Sequence, residues 1–385
     1  MDDWVQGGFG LYIHWPFCHS KCPYCDFNSH VAARIDQKRW QQAYLDEIDR
    51  IGRETPDRIL DTIFFGGGTP SLMDPDVVAA VIERVRTVWP MRNEPEITLE
   101  ANPTTVEVGR FIGFRDAGIN RLSLGVQALN DQDLIRLGRR HTAAEAIEAL
   151  RVAQSVFGRV SFDMIYARQA QSADAWRQEL SNAIMLDAAH MSLYQLTVED
   201  GTAFGDRFAK GGLRGLPNED LSTDLYQITQ ELTEKAGLYS YEVSNHARTG
   251  EESRHNQIYW RGGDYIGIGP GAHGRLTLNG HRTATEAPKG PQQWLQLVES
   301  GLPGEVPRQR LSAVDHATEY LMMSLRLKEG THLARHHKLS GKALSEQTLD
   351  ELRVHGLIEQ SGGRIFTTPS GRLLLNAVLR SLTAD

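Results

Sequence analysis

From Phe9 to about Thr197, short β-branched or aromatic runs alternate with longer stretches of helical period. The runs Gly10–Trp15, Asp61–Phe65, Glu96–Ala101, Arg121–Val126, Arg159–Tyr166 and Met191–Thr197 predict strands. Between them, Asp36–Arg53, Pro75–Val88, Thr105–Ala117, Asp131–Leu137 with Ala143–Phe157, and Ala173–Leu186 predict helices. Such alternation builds βα units on a parallel sheet. Six units are too few for a closed eight-stranded barrel. The expected α/β fold is therefore a partial (β/α)6 barrel of the TIM type. In such folds, ligand-binding groups collect at the carboxyl ends of the strands. Strand by strand, those ends carry Gly66-Gly67-Gly68-Thr69-Pro70, Glu100-Ala101-Asn102-Pro103, Gly125-Val126-Gln127, Asp163, and Tyr194 with Gln195 and Thr197. Packing alone does not call for so many polar and glycine residues at one end.

The pattern loosens beyond residue 200. A helix is predicted near Glu219–Ala236, followed by the aromatic stretches Tyr239–His246 and His255–Trp260. Gly267–His273 reads as a glycine loop, and Pro288–Pro307 as a boundary. Beyond it, Ala313–Leu327 and Ser345–His355 have helical period. Ser361-Gly362-Gly363 marks a tight turn between two short strands, and Ser370–Leu382 reads as a last helix starting at a serine cap. The expected domains are a core barrel (1–200), a barrel extension (201–305) and a small winged-helix-like C-terminal domain (306–385).

Composition narrows the class. The chain has 385 residues, 40% hydrophobic and 23% charged, as in an ordinary globular protein. No apolar run approaches bilayer length. The acidic start Met1-Asp2-Asp3 lacks the basic and apolar regions of a signal peptide. The expectation is a cytoplasmic protein. A net charge of −8 argues against nucleic acid as the main partner.

The chemistry concentrates in Cys18-His19-Ser20-Lys21-Cys22-Pro23-Tyr24-Cys25, which holds all three cysteines of the chain. Three thiols cannot all pair, and their clustering suits metal ligation in a reducing compartment. A structural zinc site usually has four protein ligands, and a cuboidal iron–sulfur cluster is normally held by four thiolates. Three thiolates would leave one iron open to a small molecule. The glycine run after the second strand is not a phosphate loop, because no Gly-Lys-Ser/Thr follows it.

Cys-x3-Cys-x2-Cys resembles the signature of the radical S-adenosylmethionine (SAM) proteins, in which the open iron of a [4Fe-4S] cluster chelates SAM. Together with Tyr12–Cys18, Phe65–Ser71, Leu99–Pro103 and Arg121–Gln127, it is similar to the oxygen-independent coproporphyrinogen III oxidase family, including its heme-chaperone branch. The resemblance covers most of the chain. It implies that Cys18, Cys22 and Cys25 bind the cluster, and that Tyr12, Gly67 and Glu100 contact SAM. It implies that Gly68, Thr69, Gln127, Arg139 and Asp163 line the same pocket, and that Tyr24 packs over the adenine. Arg140 beside Arg139 leaves that register open by one. Read without the family, Tyr12 is a core side chain, Gln127 a strand cap and Asp163 a paired core carboxylate. An unpartnered buried carboxylate would be costly, which favours a functional Asp163.

Two departures separate this chain from the family's oxidases and from its usual pattern. Phe27 stands where the oxidases carry a fourth cysteine, within the Asp-Phe-Asn-Ser run typical of the chaperone branch. Tyr166-Ala167-Arg168-Gln169-Ala170-Gln171 stands where the family has Tyr-Gly-Leu-Pro-Gly-Gln. The branch also carries a His-Asn-x-x-Tyr-Trp motif associated with heme, matched here by His255, Tyr259 and Trp260. His or Tyr can ligate ferric iron, and the aromatic rings offer flat apolar faces. An aromatic patch closing the open edge of the barrel would read the same way. The resemblance implies a heme chaperone that holds a cluster and SAM, retains the means to cleave SAM, and passes heme to acceptor hemoproteins. A reductant and peripheral contact with membrane-bound hemoproteins are the further partners it implies. The competing reading is radical oxidative decarboxylation of coproporphyrinogen III. A DNA-binding regulator is a poor third, since the tail has no basic stripe.

Overall fold

Residues 2–384 are described by a computed structural model. Strands β1 (Phe9–Trp15), β2 (Leu60–Gly67), β3 (Met91–Ala101), β4 (Arg121–Gln127), β5 (Arg159–Tyr166) and β6 (His190–Gln195) pair in parallel, in chain order. The six predicted strands are all present. Among the described residues, six further strands extend the sheet at its two edges. β7 (Asn245–Ala247) runs antiparallel to β6, and β8 (Asp264–Ile268) is a seventh parallel strand against β1. Antiparallel β9 (His273–Leu278) and β10 (His281–Glu286) follow β8. The loop expected over Gly267–His273 is thus shorter. Gly267 and Ile268 end β8, and His273 starts β9.

The strands alternate strictly, as the two-residue period of a strand requires. Leu11, Ile13, Ile63, Phe65, Ile97, Leu99, Leu122, Leu124 and Phe162 face outward and are fully buried. They meet Trp40, Tyr44 and Ile48 of α1 (Gln37–Glu54), Val78, Val81 and Ile82 of α2 (Pro75–Val88), Leu150 of α3 (Ala143–Val156) and Trp176 of α4 (Ala173–Ile184) in one core. Each such side chain contributes about 1.5–3 kcal/mol by leaving water. The inner face is polar instead. It carries Tyr12, Glu96, Glu100, Arg121, Ser123, Asp163 and Ser192, which meet across neighbouring strands: Glu100 lies opposite Ser123 and Asp163 opposite Ser192.

Helix α5 (Arg254–Trp260) enters this lumen. Its His255 ring stacks on Phe64 at 5.1 Å. The expected helix over Thr105–Ala117 is broken into Thr105–Val108 and Phe111–Asp116, because Gly109 and Arg110 close the first turn tightly. The C-terminal domain has its own core, built by Leu321, Leu325, Leu349, Leu352, Ile358 and Ile365. It comprises α6 (Ala313–Ser324), α7 (Leu333–Ser340), α8 (Glu346–Val354), the hairpin β11 (Ile358–Ser361) and β12 (Arg364–Thr367), and α9 (Leu375–Thr383). Gly362 and Gly363 both have positive φ, as a two-residue hairpin turn needs. The helix expected over Ser370–Leu382 is instead two: Pro369–Leu373, capped by Thr368, which accepts from Gly371 N, and α9, which follows Leu374 without a side-chain cap. Among the described residues, four ion pairs clamp this domain to the barrel: Arg335–Asp3, Arg261–Glu329, Arg275–Glu319 and Arg326–Glu242. Among the described residues, no helix is long and apolar enough to cross a membrane.

Candidate functional site

The cysteine loop leaves the end of β1 and caps the carboxyl end of the lumen. All three cysteines are free thiols. Each has a hydrogen-bonding group aimed at its sulfur. Thr69 Oγ1 donates to Cys18 Sγ at 3.4 Å, Arg139 Nη1 to Cys22 Sγ at 3.5 Å, and Ser29 Oγ lies 4.0 Å from Cys25 Sγ. Burial pushes the Cys18 and Cys25 thiols up, opposed by the Thr69 and Ser29 hydroxyls and, at Cys25, first by a backbone N–H from Phe27. Among the described residues, no three His, Cys, Asp or Glu side chains are gathered as ligands of a single metal ion. The donor set nevertheless suits a cluster: three sulfurs for three irons, with polar hydrogens turned toward the negative charge those sulfurs carry when metallated.

Behind the loop, the glycine run does different work from residue to residue. Gly67 has φ +112°, and a Cβ there would lie 2.7–2.9 Å from the His14 ring. Its N–H is committed to Glu100 Oε2 at 3.2 Å. Gly68 is required by the loop itself, since a Cβ would meet Phe17 O at 2.7 Å. Thr69 accepts from Asn102 Nδ2, and Asn102 Oδ1 accepts from Arg139 Nη2 at 2.6 Å. Arg139 also donates to Gly125 O, whereas Arg140 is exposed, so the open register resolves to Arg139. Gln127 ends β4 with φ +69°, at a bulge between β4 and β5.

Two carboxylates face each other across this end. Burial, reinforced by the charge of Asp163 and opposed by the Gly67 N–H, moves Glu100 up to about 8. Burial moves Asp163 up to about 6 against the pull of Ser192, Arg139 and Ser123. Tyr12 donates to His14 Nδ1 at 3.1 Å, while His14 Nε2 donates to Asn28 O at 2.9 Å, so the tautomer of His14 follows from its partners. Tyr12 stacks on Phe64. Tyr24 lies beside Arg139 and Cys22, with its ring against Phe204 at 6.4 Å.

The structure therefore brings Cys18, Cys22, Cys25, Tyr12, Tyr24, Gly67, Gly68, Thr69, Glu100, Gln127, Arg139 and Asp163 to one end of the barrel. It does not place the His255–Trp260 motif on one surface. His255 and Tyr259 are one helical turn apart and point into the lumen, where His255 Nδ1 pairs with Thr62 Oγ1 and Nε2 with Tyr259 Oη, both at 2.6 Å. With both ring nitrogens engaged and the ring buried, His255 is not free to ligate iron in this conformation. Burial also moves it down to about 3. Trp260 faces the other way, under the Arg326 guanidinium at 4.7 Å. Sequence reasoning missed Asn102, the bridge between Thr69 and Arg139, and His14, which joins Tyr12 to the loop after the cysteines. Both stand inside motifs quoted for other residues.

Residues 12–174 match the Radical SAM superfamily and residues 311–374 the HemN C-terminal domain. The chain is 37% identical to the heme chaperone HemW of Escherichia coli (strain K12), over 97% of this chain and 98% of that one. It is 40% identical to the mitochondrial radical S-adenosyl methionine domain-containing protein 1 of Bos taurus, over 84% of this chain and 74% of that one. The solved structure of coproporphyrinogen III oxidase (HemN) from Escherichia coli superposes with a TM-score of 0.81 at 22% identity, covering 98% of this chain and 90% of that one, which establishes the shared fold. A radical SAM fold implies a [4Fe-4S] cluster and SAM, and the three thiols and the lumen end above them fit that pair. The chain belongs to the radical SAM superfamily and, within it, to the HemW family.

Proposed function

We propose that this protein is a heme chaperone built on a radical SAM scaffold, which binds heme and passes it to acceptor hemoproteins. The observation that carries the reading is the near end-to-end match to proteins named heme chaperone HemW, in a chain whose Phe27 stands where the family's oxidases have a fourth cysteine. Phe27 is 59% exposed, so it is not a core substitute for that cysteine.

Cys18, Cys22 and Cys25 would hold the cluster, and Tyr12, Gly67, Glu100 and Asp163 would line the SAM pocket. When bound, the pair supplies one-electron reduction of the SAM sulfonium. The chain's own residues set the surroundings. Thr69, Arg139 and Ser29 direct polar hydrogens at the sulfurs. Arg139 places a fixed cation beside Asp163 and Cys22. Burial holds Glu100 up at about 8, so a ligand that needs its carboxylate binds with proton release. The partners proposed with this reading are a reductant for the cluster and acceptor hemoproteins, with peripheral contact to membrane-bound ones among them.

The test is anaerobic. The reconstituted protein is given reductant, SAM and coproporphyrinogen III, and the tetrapyrroles are separated by chromatography beside an authentic oxidase. The expected result is no decarboxylated product from a sample with an intact cluster that binds hemin stoichiometrically and transfers it to an apo-hemoprotein. Product in proportion to protein and SAM would make the chain an oxidase and overturn the reading.

A further inference from the structure

The lumen-facing motif leaves open which group could ligate heme iron, because His255 is occupied on both ring nitrogens. The turn between β8 and β9 supplies another imidazole. His273 is exposed, and among the described residues nothing hydrogen-bonds its ring. It is close enough to His14 for their charges to interact, as is His30.

The surroundings of His273 match a porphyrin. Asn28 Nδ2 donates to Pro270 O at 2.8 Å and to Lys289 O at 2.9 Å, which fastens the stretch after the cysteines to the turn that carries His273. Phe27, 59% exposed, directly precedes the anchored Asn28, and Val31, 63% exposed, follows three residues after it. Such large apolar side chains, left in water on one stretch, suit a flat apolar face. Lys289 is exposed and makes no ion pair among the described residues, so its ammonium is available to a carboxylate. His337, exposed on α7 in the C-terminal domain, lacks this company.

We propose that His273 is an axial ligand of heme iron, at a site where the macrocycle lies on Phe27 and a propionate meets Lys289. The inference rests on the heme-chaperone reading and names the ligand within it. The ligation is a simple exchange: the lone pair of the neutral imidazole displaces water from ferric iron, with no change of oxidation state. Phe27, the residue that replaces the oxidases' fourth cysteine, becomes part of the cargo site.

The test is hemin titration of the full chain, followed by visible absorption and by magnetic resonance of the ferric iron. His273→Ala is expected to weaken hemin by about tenfold or more, the scale on which even groups that support a ligand act. It should also abolish the histidine-ligated spectrum. His273→Met should bind hemin with a spectrum changed in kind, because a thioether replaces the imidazole. His337→Ala serves as the control and should change neither. Wild-type spectrum and affinity in His273→Ala would overturn this assignment while leaving the chaperone reading intact. Failure of the wild-type chain to bind hemin would take down both.

Discussion

At the amino end of the lumen, Glu96 is buried and fully answered. Its Oε2 accepts from Arg159 at 2.9 Å and from Arg121 at 3.3 Å, and its Oε1 from the backbone N–H of His255. Arg159 goes on to Glu251. Four residues along the same strand, at the carboxyl end, Glu100 has one backbone N–H and a second carboxylate, Asp163, for company. The fold is the same, and so is the inner face. One end spends its charges on one another and locks strands and the start of α5 together. The other leaves Glu100 poorly compensated beside a second acid, which a folded protein tolerates where a ligand will complete the set. A polar lumen is therefore not one feature but two: a structural plug below and an unfinished site above.

The largest expected effect comes from breaking the lower end. Glu96→Ala leaves two guanidinium groups without their shared carboxylate and should cost about 3–5 kcal/mol, read by urea unfolding of the metal-free chain. Arg139→Ala, at the upper end, removes donors to Asn102 and Gly125 and should cost about 1–3 kcal/mol in the same assay. A loss at Arg139 equal to that at Glu96 would erase the distinction between the two ends.

Much of this contrast was legible before the structure. The six strands, the cysteine loop and the polar carboxyl ends follow from period and spacing. The amino-end network did not, because Glu96, Arg121 and Arg159 look like solvent-facing starts of strands until the barrel folds them together. The loop after β5, where this chain departs from the family's pattern, is a similar case. Ala167 and Ala170 adopt φ of +58° and +57°, at positions where glycine would be relaxed. Arg168, buried, compensates by donating to Ile165 O and pairing with Asp133 and Glu179. No local pattern announces an arginine whose partners are 11 and 35 residues away. The direction in which His255 points was hidden for the same reason. A helical motif fixes which residues share a face, but only the packing of α5 into the lumen decides which face turns inward.

A smaller effect sharpens the upper end. In the folded chain Glu100 keeps its proton to about pH 8, against 4.5 for an ordinary glutamate, and Asp163 to about 6, against 3.8. Within those windows the folded state binds more protons than the unfolded one, so stability falls as pH rises. Glu100→Gln should leave stability unchanged at pH 4 and raise it by about 1 kcal/mol at pH 8.5, allowing for solvent in the lumen. Equal pH slopes for the variant and the parent would show that Glu100 is already compensated, as Glu96 is.

Cys22→Ser has the smallest expected effect on the fold and the most complete effect on the site. Cys22 is only half-buried and lies on a loop outside the sheet. Exchanging sulfur for oxygen there should move stability by no more than about 0.5 kcal/mol. The serine hydroxyl, with a pKa far above that of a thiol, does not replace a thiolate as a cluster ligand. After anaerobic reconstitution the broad visible absorption of the cluster should therefore be lost, while urea unfolding of the metal-free protein stays where it was. Retention of a full cluster would overturn the assignment of this loop. Loss of the fold along with the cluster would mean that the cysteine loop carries structure in the way the Glu96 network does, and that the two ends of the barrel are less separable than their hydrogen bonds make them.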